Sequence, residues 1–192
     1  MSLSQAGAGD VAEVVDILAD AFLEDPIMKW VSLSPTYPAF AFGLATPFCV
    51  EQGHTFTTED ASGAISWLPP RVALEPKTNP ASIWRGLRDF GPKSLVRAVS
   101  MLQKMSKHHP REPHYYLFSI GTRRSAQGRG VGSSLIRPGL EKCDAEGVPA
   151  YLESSNIKNL PFYRKHGFEV VQELRLASDG PTMWLMWRPP VG

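Results

Sequence analysis

The sequence predicts an α/β fold built on one mixed β-sheet, and three stretches carry that prediction. Residues 115–122 read as a strand, followed by a glycine-rich turn, a helix over about 130–146 and a second strand over 150–153. Such a βαβ unit makes its two strands parallel. Two β-rich pairs flank it: 54–58 with 64–68, joined by 59–63, and 169–176 with 182–187, joined by 177–181. Each pair reads as an antiparallel hairpin. At 192 residues and 43% hydrophobic, the chain can bury one sizeable core but is short for two domains, so 1–192 is expected to be a single domain.

Ahead of the first hairpin, Val11, Val14, Val15, Leu18 and Phe22 recur at helical spacing behind Asp10, with Glu13 at the third helical position. This predicts a helix over 11–22 opened by a capping box. Asp25-Pro26 breaks it, and Pro26 suits the first turn of a short helix carrying Ile27, Met28, Trp30 and Val31. The most apolar run, 39–50, is interrupted by Gly43 and Pro47 and falls well short of the ~20 residues that cross a bilayer, so it reads as a buried helix. Between Pro76 and Pro113, Ile83, Trp84, Leu87 and Phe90, then Leu95, Val96, Val99 and Leu102, predict two helices separated by Gly91-Pro92. A short helix over 159–166 should end at Gly167, and Pro138-Gly139 should bend the helix after the glycine turn.

Twenty basic and nineteen acidic residues leave a formal charge of +1, too little to gather nucleic acid or an anionic membrane. Residues 1–10 lack a basic region followed by an apolar one and do not read as a signal peptide, so a cytoplasmic protein is expected. Cys49 and Cys143 show no CxxC spacing, hence neither a disulfide framework nor a zinc site. His108, His109 and His114 invite either a metal site or a surface loop. Without regular ligand spacing or a nearby cysteine, the loop is the preferred reading and no metal is expected.

Chemistry concentrates in Gln127-Gly128-Arg129-Gly130-Val131-Gly132, between strand and helix. Its glycines let successive backbone N–H groups approach an anion at a helix N-terminus, which suits a diphosphate, although a purely structural turn fits equally well. The segment is not a P-loop, because Ser133-Ser134 stands where Lys-Ser/Thr would follow. Nor is it a dinucleotide fingerprint, because Ser133 occupies the third glycine position.

What remains, Gln-x-x-Gly-x-Gly, resembles motif A of the GNAT acetyltransferase superfamily. Tyr151-Leu152-Glu153-Ser154-Ser155 followed by Asn159 and Phe162-Tyr163-Arg164-Lys165-His166-Gly167-Phe168 resembles its motif B. From about His109 to Pro189 the pattern is similar to the puromycin N-acetyltransferase group, through Arg111-Glu112-Pro113, Gly147-Val148-Pro149-Ala150, Gly180-Pro181 and the Pro138-Gly139 break. The resemblance implies a GNAT fold: a mostly antiparallel sheet of six or seven strands whose two central parallel strands splay to admit acetyl-CoA. It implies an acceptor-side half, 1–113, and an acetyl-CoA half, 114–192.

The same resemblance implies that Ser119, Ile120, Gly121 and Thr122 pair with the pantetheine arm like an added strand. It places the diphosphate on Gln127 and Gly128 to Ser133, with Arg129 and Val131 in that loop, and Asn159 beside the pantetheine. Arg123, Arg124 and Arg129 are either phosphate partners or a solvated loop. A backbone N–H near Ser119 or Ile120 is the expected oxyanion donor. Tyr163 is the expected general acid, or else only packs with Phe162 and Phe168. Glu153 is the expected general base, or else an ion-pair or capping residue. Trp67, Trp84, Tyr115 and Tyr116 line an acceptor pocket or fill the core. The expected activity is direct acetyl transfer to the primary amine of a small molecule, by a monomer or homodimer. A protein lysine or N-terminal acceptor, and a silent CoA-binding module, are the alternatives.

Overall fold

Residues 2–192 are described by a computed structural model, in which one seven-stranded sheet runs through both halves of the chain in the order β1-β2-β3-β4-β5-β7-β6. The strands are β1 (Leu3–Gln5), β2 (Thr55–Thr58), β3 (Gly63–Leu68), β4 (Tyr115–Thr122), β5 (Ala150–Ser154), β6 (Glu169–Arg175) and β7 (Thr182–Arg188). Every neighbouring pair is antiparallel except β4 and β5, which are parallel. Both predicted hairpins and the βαβ unit are therefore present. Only β1, three residues long and without alternation to betray it, was not legible.

The helices are α1 (Val11–Ala21), α2 (Pro26–Val31), α3 (Tyr37–Glu51), α4 (Pro80–His108), α5 (Val131–Glu146) and α6 (Leu160–Lys165). Alternate residues of each central strand feed opposite faces. Tyr115, Leu117 and Leu152 pack with Leu135, Ile136 and Leu140 of α5. Tyr116 and Tyr151 face the other way, toward Ile27, Phe48 and the partly buried Met101 and Met105 of α4. Burial on both faces explains why β4 reads as a nearly continuous apolar run.

One local expectation changes. Asp10 does not cap α1: it has helical angles (φ −96°, ψ −2°), whereas a capping residue is extended, and its Oδ2 accepts the Gly7 N–H at 2.8 Å. The two helices predicted around Gly91-Pro92 are present as the two arms of α4, parted where Gly91 leaves helical geometry at φ +79°, ψ 169°. The outer side of α4 leaves Ile83, Trp84, Val96, Val99 and Leu102 exposed. Among the described residues no helix is long and apolar enough to cross a membrane.

The feature that positions the site is the parting of β4 from β5. They are paired only at Tyr115 with Ala150 and Tyr116 with Tyr151. On the other edge of β4, Leu117 pairs with Trp67 and Ser119 with Ser66, so Phe118 is an extra, bulged residue. A bulge bends and twists its strand, here where β4 leaves its parallel neighbour. From Phe118 onward β4 has no β5 partner.

Candidate active site

A cleft of about 610 Å³ opens where the two strands part. Ile120, Gly121 and Thr122 supply one side; Gln127, Gly128 and Gly130 to Ser133 supply the floor; Asn156, Asn159 and Tyr163 lie opposite, and Phe22, Glu24 and Asp25 complete the wall between α1 and α2. Of the residues predicted for the site, Ser119, Arg129 and Glu153 do not line this cleft.

The floor is made of backbone. Gly128 and Gly130 have φ +78° and +84°, and a Cβ at either would meet no atom within 4 Å. The need for glycine there is conformational, since residues with a Cβ avoid this region. Gly130 is the N-cap of α5, so the unpaired N–H groups of the first helical turn face the cleft, a fit for an anion. Gln127 Nε2 donates to the Thr122 carbonyl at 3.2 Å, tying the loop to the end of β4. Ser133 Oγ lies 3.1 Å from His166 Nε2, joining α5 to the end of α6.

The arginines divide. Arg123 donates to the Ala61 carbonyl (2.8 Å) and to Asp16 (2.6 Å). Arg124 gives its backbone N–H and its Nε to the two oxygens of Asp20, at 2.8 and 3.0 Å. Those bonds, the backbone one first, hold the Asp20 carboxyl below its ordinary value. Both arginines thus pin the loop to α1, and Arg129 stays exposed.

Tyr163 combines its two expected roles. Its ring, 8% exposed, packs edge-on against Phe162 (5.2 Å between centroids) and Phe168 (6.1 Å) while also bordering the cleft. Burial, and then the nearby Asp25 charge, push its phenol above the ordinary range, so it stays protonated.

Glu153 departs from expectation. Side chains alternate along a strand, so Tyr151 and Glu153 share one face of β5. There the Glu153 oxygens accept the hydroxyls of Tyr116 (2.5 Å) and Tyr151 (2.9 Å), with His109 Nδ1 at 3.7 Å. Its side chain is 3% exposed. A buried carboxylate requires such donors, and they occupy it. The histidines belong to the same cluster: His114 Nε2 is 3.1 Å from His109 Nε2, and His114 Nδ1 is 2.6 Å from the Glu112 carbonyl. They do not form a surface loop, because His114 is 7% exposed and His109 stacks on Tyr116 and Tyr151. Among the described residues no group of three or more His, Cys, Asp or Glu could hold a metal.

The buried carboxylate that does border the cleft is Asp25. It caps α2, its Oδ1 accepting the N–H groups of Ile27 (2.9 Å) and Met28 (3.1 Å), and its Oδ2 accepts the Ser155 hydroxyl. Burial raises its pKa against those three hydrogen bonds. Asp25-Pro26 reads in sequence as a helix opening, and nothing local signals that Ser155, 130 positions later, folds onto it. The aromatics considered for an acceptor pocket lie elsewhere. Trp84 is 64% exposed, Tyr116 is buried with Glu153, and Trp67 and Tyr115 line a separate cavity of about 390 Å³ against α5. Phe22 and Phe162 border the cleft instead. Ser119 is 4% exposed, and its Oγ has no partner among the described residues.

Comparison with known proteins agrees with this geometry. The model of the acetyltransferase (GNAT) family matches residues 74–168. An uncharacterized N-acetyltransferase of Schizosaccharomyces pombe is 26% identical over 194 residues, covering 93% of this chain and 78% of the relative. The structure described as histone acetyltransferase HPA2 and related acetyltransferase from Corynebacterium glutamicum superposes with a TM-score of 0.69 at 23% identity, over 100% of this chain and 97% of that one. Drosophila melanogaster polyamine N-acetyltransferase, which catalyses formation of N-acetylagmatine, gives 0.68 at 12% identity, over 98% and 99%. These two likenesses establish a shared fold.

Proposed function

Because the chain belongs to the acetyltransferase (GNAT) family, we propose that it is an acetyl-CoA-dependent N-acetyltransferase acting directly on the primary amine of a small molecule. The observation that carries this reading is the continuity of one cleft from a backbone anion cradle, past an unpaired strand edge, to a buried phenol. A diphosphate fits the N–H groups of Gly128 to Ser133, where both left-handed glycines leave open space in front of them. The pantetheine amides fit the free edge of Ile120, Gly121 and Thr122, with Asn159 beside them. When bound, acetyl-CoA supplies the activated acetyl group.

The chain's own groups then have two tasks. Backbone N–H groups at the Phe118 bulge, next to Ser119 and Ile120, lack a β5 partner and suit the developing oxyanion. Tyr163 holds a proton at its phenolic oxygen for the departing sulfur, and Phe162 and Phe168 fix the ring that carries it. A small acceptor is favoured by the likeness to a polyamine acetyltransferase, and Phe22, Asp25 and Tyr163 line the cleft it would enter. An aminonucleoside of the puromycin type is one candidate.

The test is calorimetric titration with CoA, followed by thiol release from acetyl-CoA across a panel of polyamines, arylalkylamines, aminonucleosides and lysine peptides. CoA binding with turnover of small amines sustains the reading. Turnover of peptides alone moves the acceptor to protein, binding without turnover makes the chain a CoA-binding module, and no binding at millimolar CoA overturns the donor assignment.

A further inference from the structure

We propose that Asp25 is the general base that takes the acceptor's proton, with Ser155 positioning and tuning it. This rests on the acetyl-transfer reading above. Of the carboxylates at or near the cleft, Glu24 lines it but is paired with Lys29 and 66% exposed, and Asp20 lies outside its lining, held by Arg124 with a lowered pKa. Glu153 lies outside. Only Asp25 is both at the cleft and largely removed from water, at 8% exposure.

Its setting is built for a proton acceptor rather than for an ion pair. Two backbone N–H groups hold Oδ1 and one hydroxyl holds Oδ2, so the carboxyl plane is fixed without any cationic partner. Burial lifts its proton affinity toward that of the amine it must relieve, the direction in which catalytic bases are tuned. Its charge also reaches Tyr163, so acid and base share one enclosure, and the carboxylate helps keep the phenol protonated. The titratable or charged groups that line the cleft with Asp25 are Tyr163 of α6, Glu24, Arg124 at the loop and Lys158 beyond β5.

The proton balance closes. An acceptor ammonium carries three protons and the product amide one. As the nitrogen–carbon bond forms and the carbon–sulfur bond breaks, one amine proton passes to Asp25 and on to solvent, Tyr163 gives its phenolic proton to sulfur, and the second amine proton restores that phenol. One proton in all leaves to solvent.

Asp25→Asn is a clean probe because Asn is an equally good helix cap. In this variant kcat/KM for a primary amine at neutral pH should fall by about 10²–10³-fold with acetyl-CoA affinity changed less than about twofold. Its pH profile should then follow the acceptor alone. In Ser155→Ala, loss of one donor should raise the Asp25 titration midpoint, followed by ¹³C NMR of the carboxyl, and move the acidic limb of kcat/KM upward with it. Three results overturn the proposal: Asp25→Asn within about threefold of the parent, acetyl-CoA affinity lost in step with turnover, or a limb in Ser155→Ala that does not follow the carboxyl. If the parent protein binds no acetyl-CoA and releases no thiol, the acetyl-transfer reading itself falls. Turnover unimpaired in Asp25→Asn removes the base alone.

Discussion

The two walls of the cleft use different parts of the chain. The floor from Gly128 to Ser133 is a single continuous segment that presents backbone N–H groups. The wall opposite collects side chains from α1 to α2, from the end of β5 and from α6, spanning Phe22 to Tyr163. A backbone site depends on which residues permit a conformation. A side-chain site depends on which residues converge. Substitutions should therefore read out differently on the two walls.

The largest effect is expected at Tyr163. Tyr163→Phe keeps the ring against Phe162 and Phe168 but removes the proton donor, so kcat should drop by about 10²–10³-fold with CoA affinity retained. Steady-state kinetics beside calorimetry would decide it; an unchanged kcat would reduce that wall to packing. Behind it, Glu153→Leu leaves the buried hydroxyls of Tyr116 and Tyr151 unpaired and should cost about 2–4 kcal/mol in denaturant unfolding. Glu153→Gln, which retains an acceptor, should cost less and leave kcat nearly unchanged; loss of catalysis in the folded Gln variant would return Glu153 to the chemistry.

On the floor, Gly130→Val forces a β-branched residue into φ +84°, at about 1–3 kcal/mol. Because the cradle is that conformation, CoA binding should weaken along with stability. Equal CoA affinity in the variant would mean that the loop does not hold the diphosphate. Acid should act away from both walls, on His114, whose pKa burial lowers. The unfolded chain then binds the proton first, so stability is full above about pH 6.5 and declines as pH falls through that value. The thermal midpoint should drop by a few degrees, roughly, between pH 7 and 5, and less in His114→Asn. The smallest effect belongs to Arg129→Ala, an exposed side chain outside the cleft, whose removal should change CoA affinity by less than about 0.5 kcal/mol. A larger loss would give the floor a side-chain component it lacks by geometry.

The floor was legible in advance because glycine at fixed offsets before an amphipathic helix is itself the physical requirement. The spans of β4 and α5 could be read for the same local reason. Asn159 and Tyr163 became visible only through their resemblance to motif B. Asp25 was not recognised as a site residue, since Asp-Pro before a short helix is fully accounted for by capping. Glu153 was misplaced because its strand was known but its surroundings, the hydroxyls of Tyr116 and Tyr151, were not.

The sequence alone determined the order of elements, the parallel central pair, the backbone cradle and the family. The first three follow from periodicity or from allowed backbone angles within a few residues, and the family from the resemblance of two motifs. The tertiary structure alone decided which buried carboxylate borders the cleft, Asp25 and not Glu153. A buried carboxylate stands only where donors brought from elsewhere in the chain meet it, and here those donors are Ser155 for Asp25 and Tyr116 for Glu153.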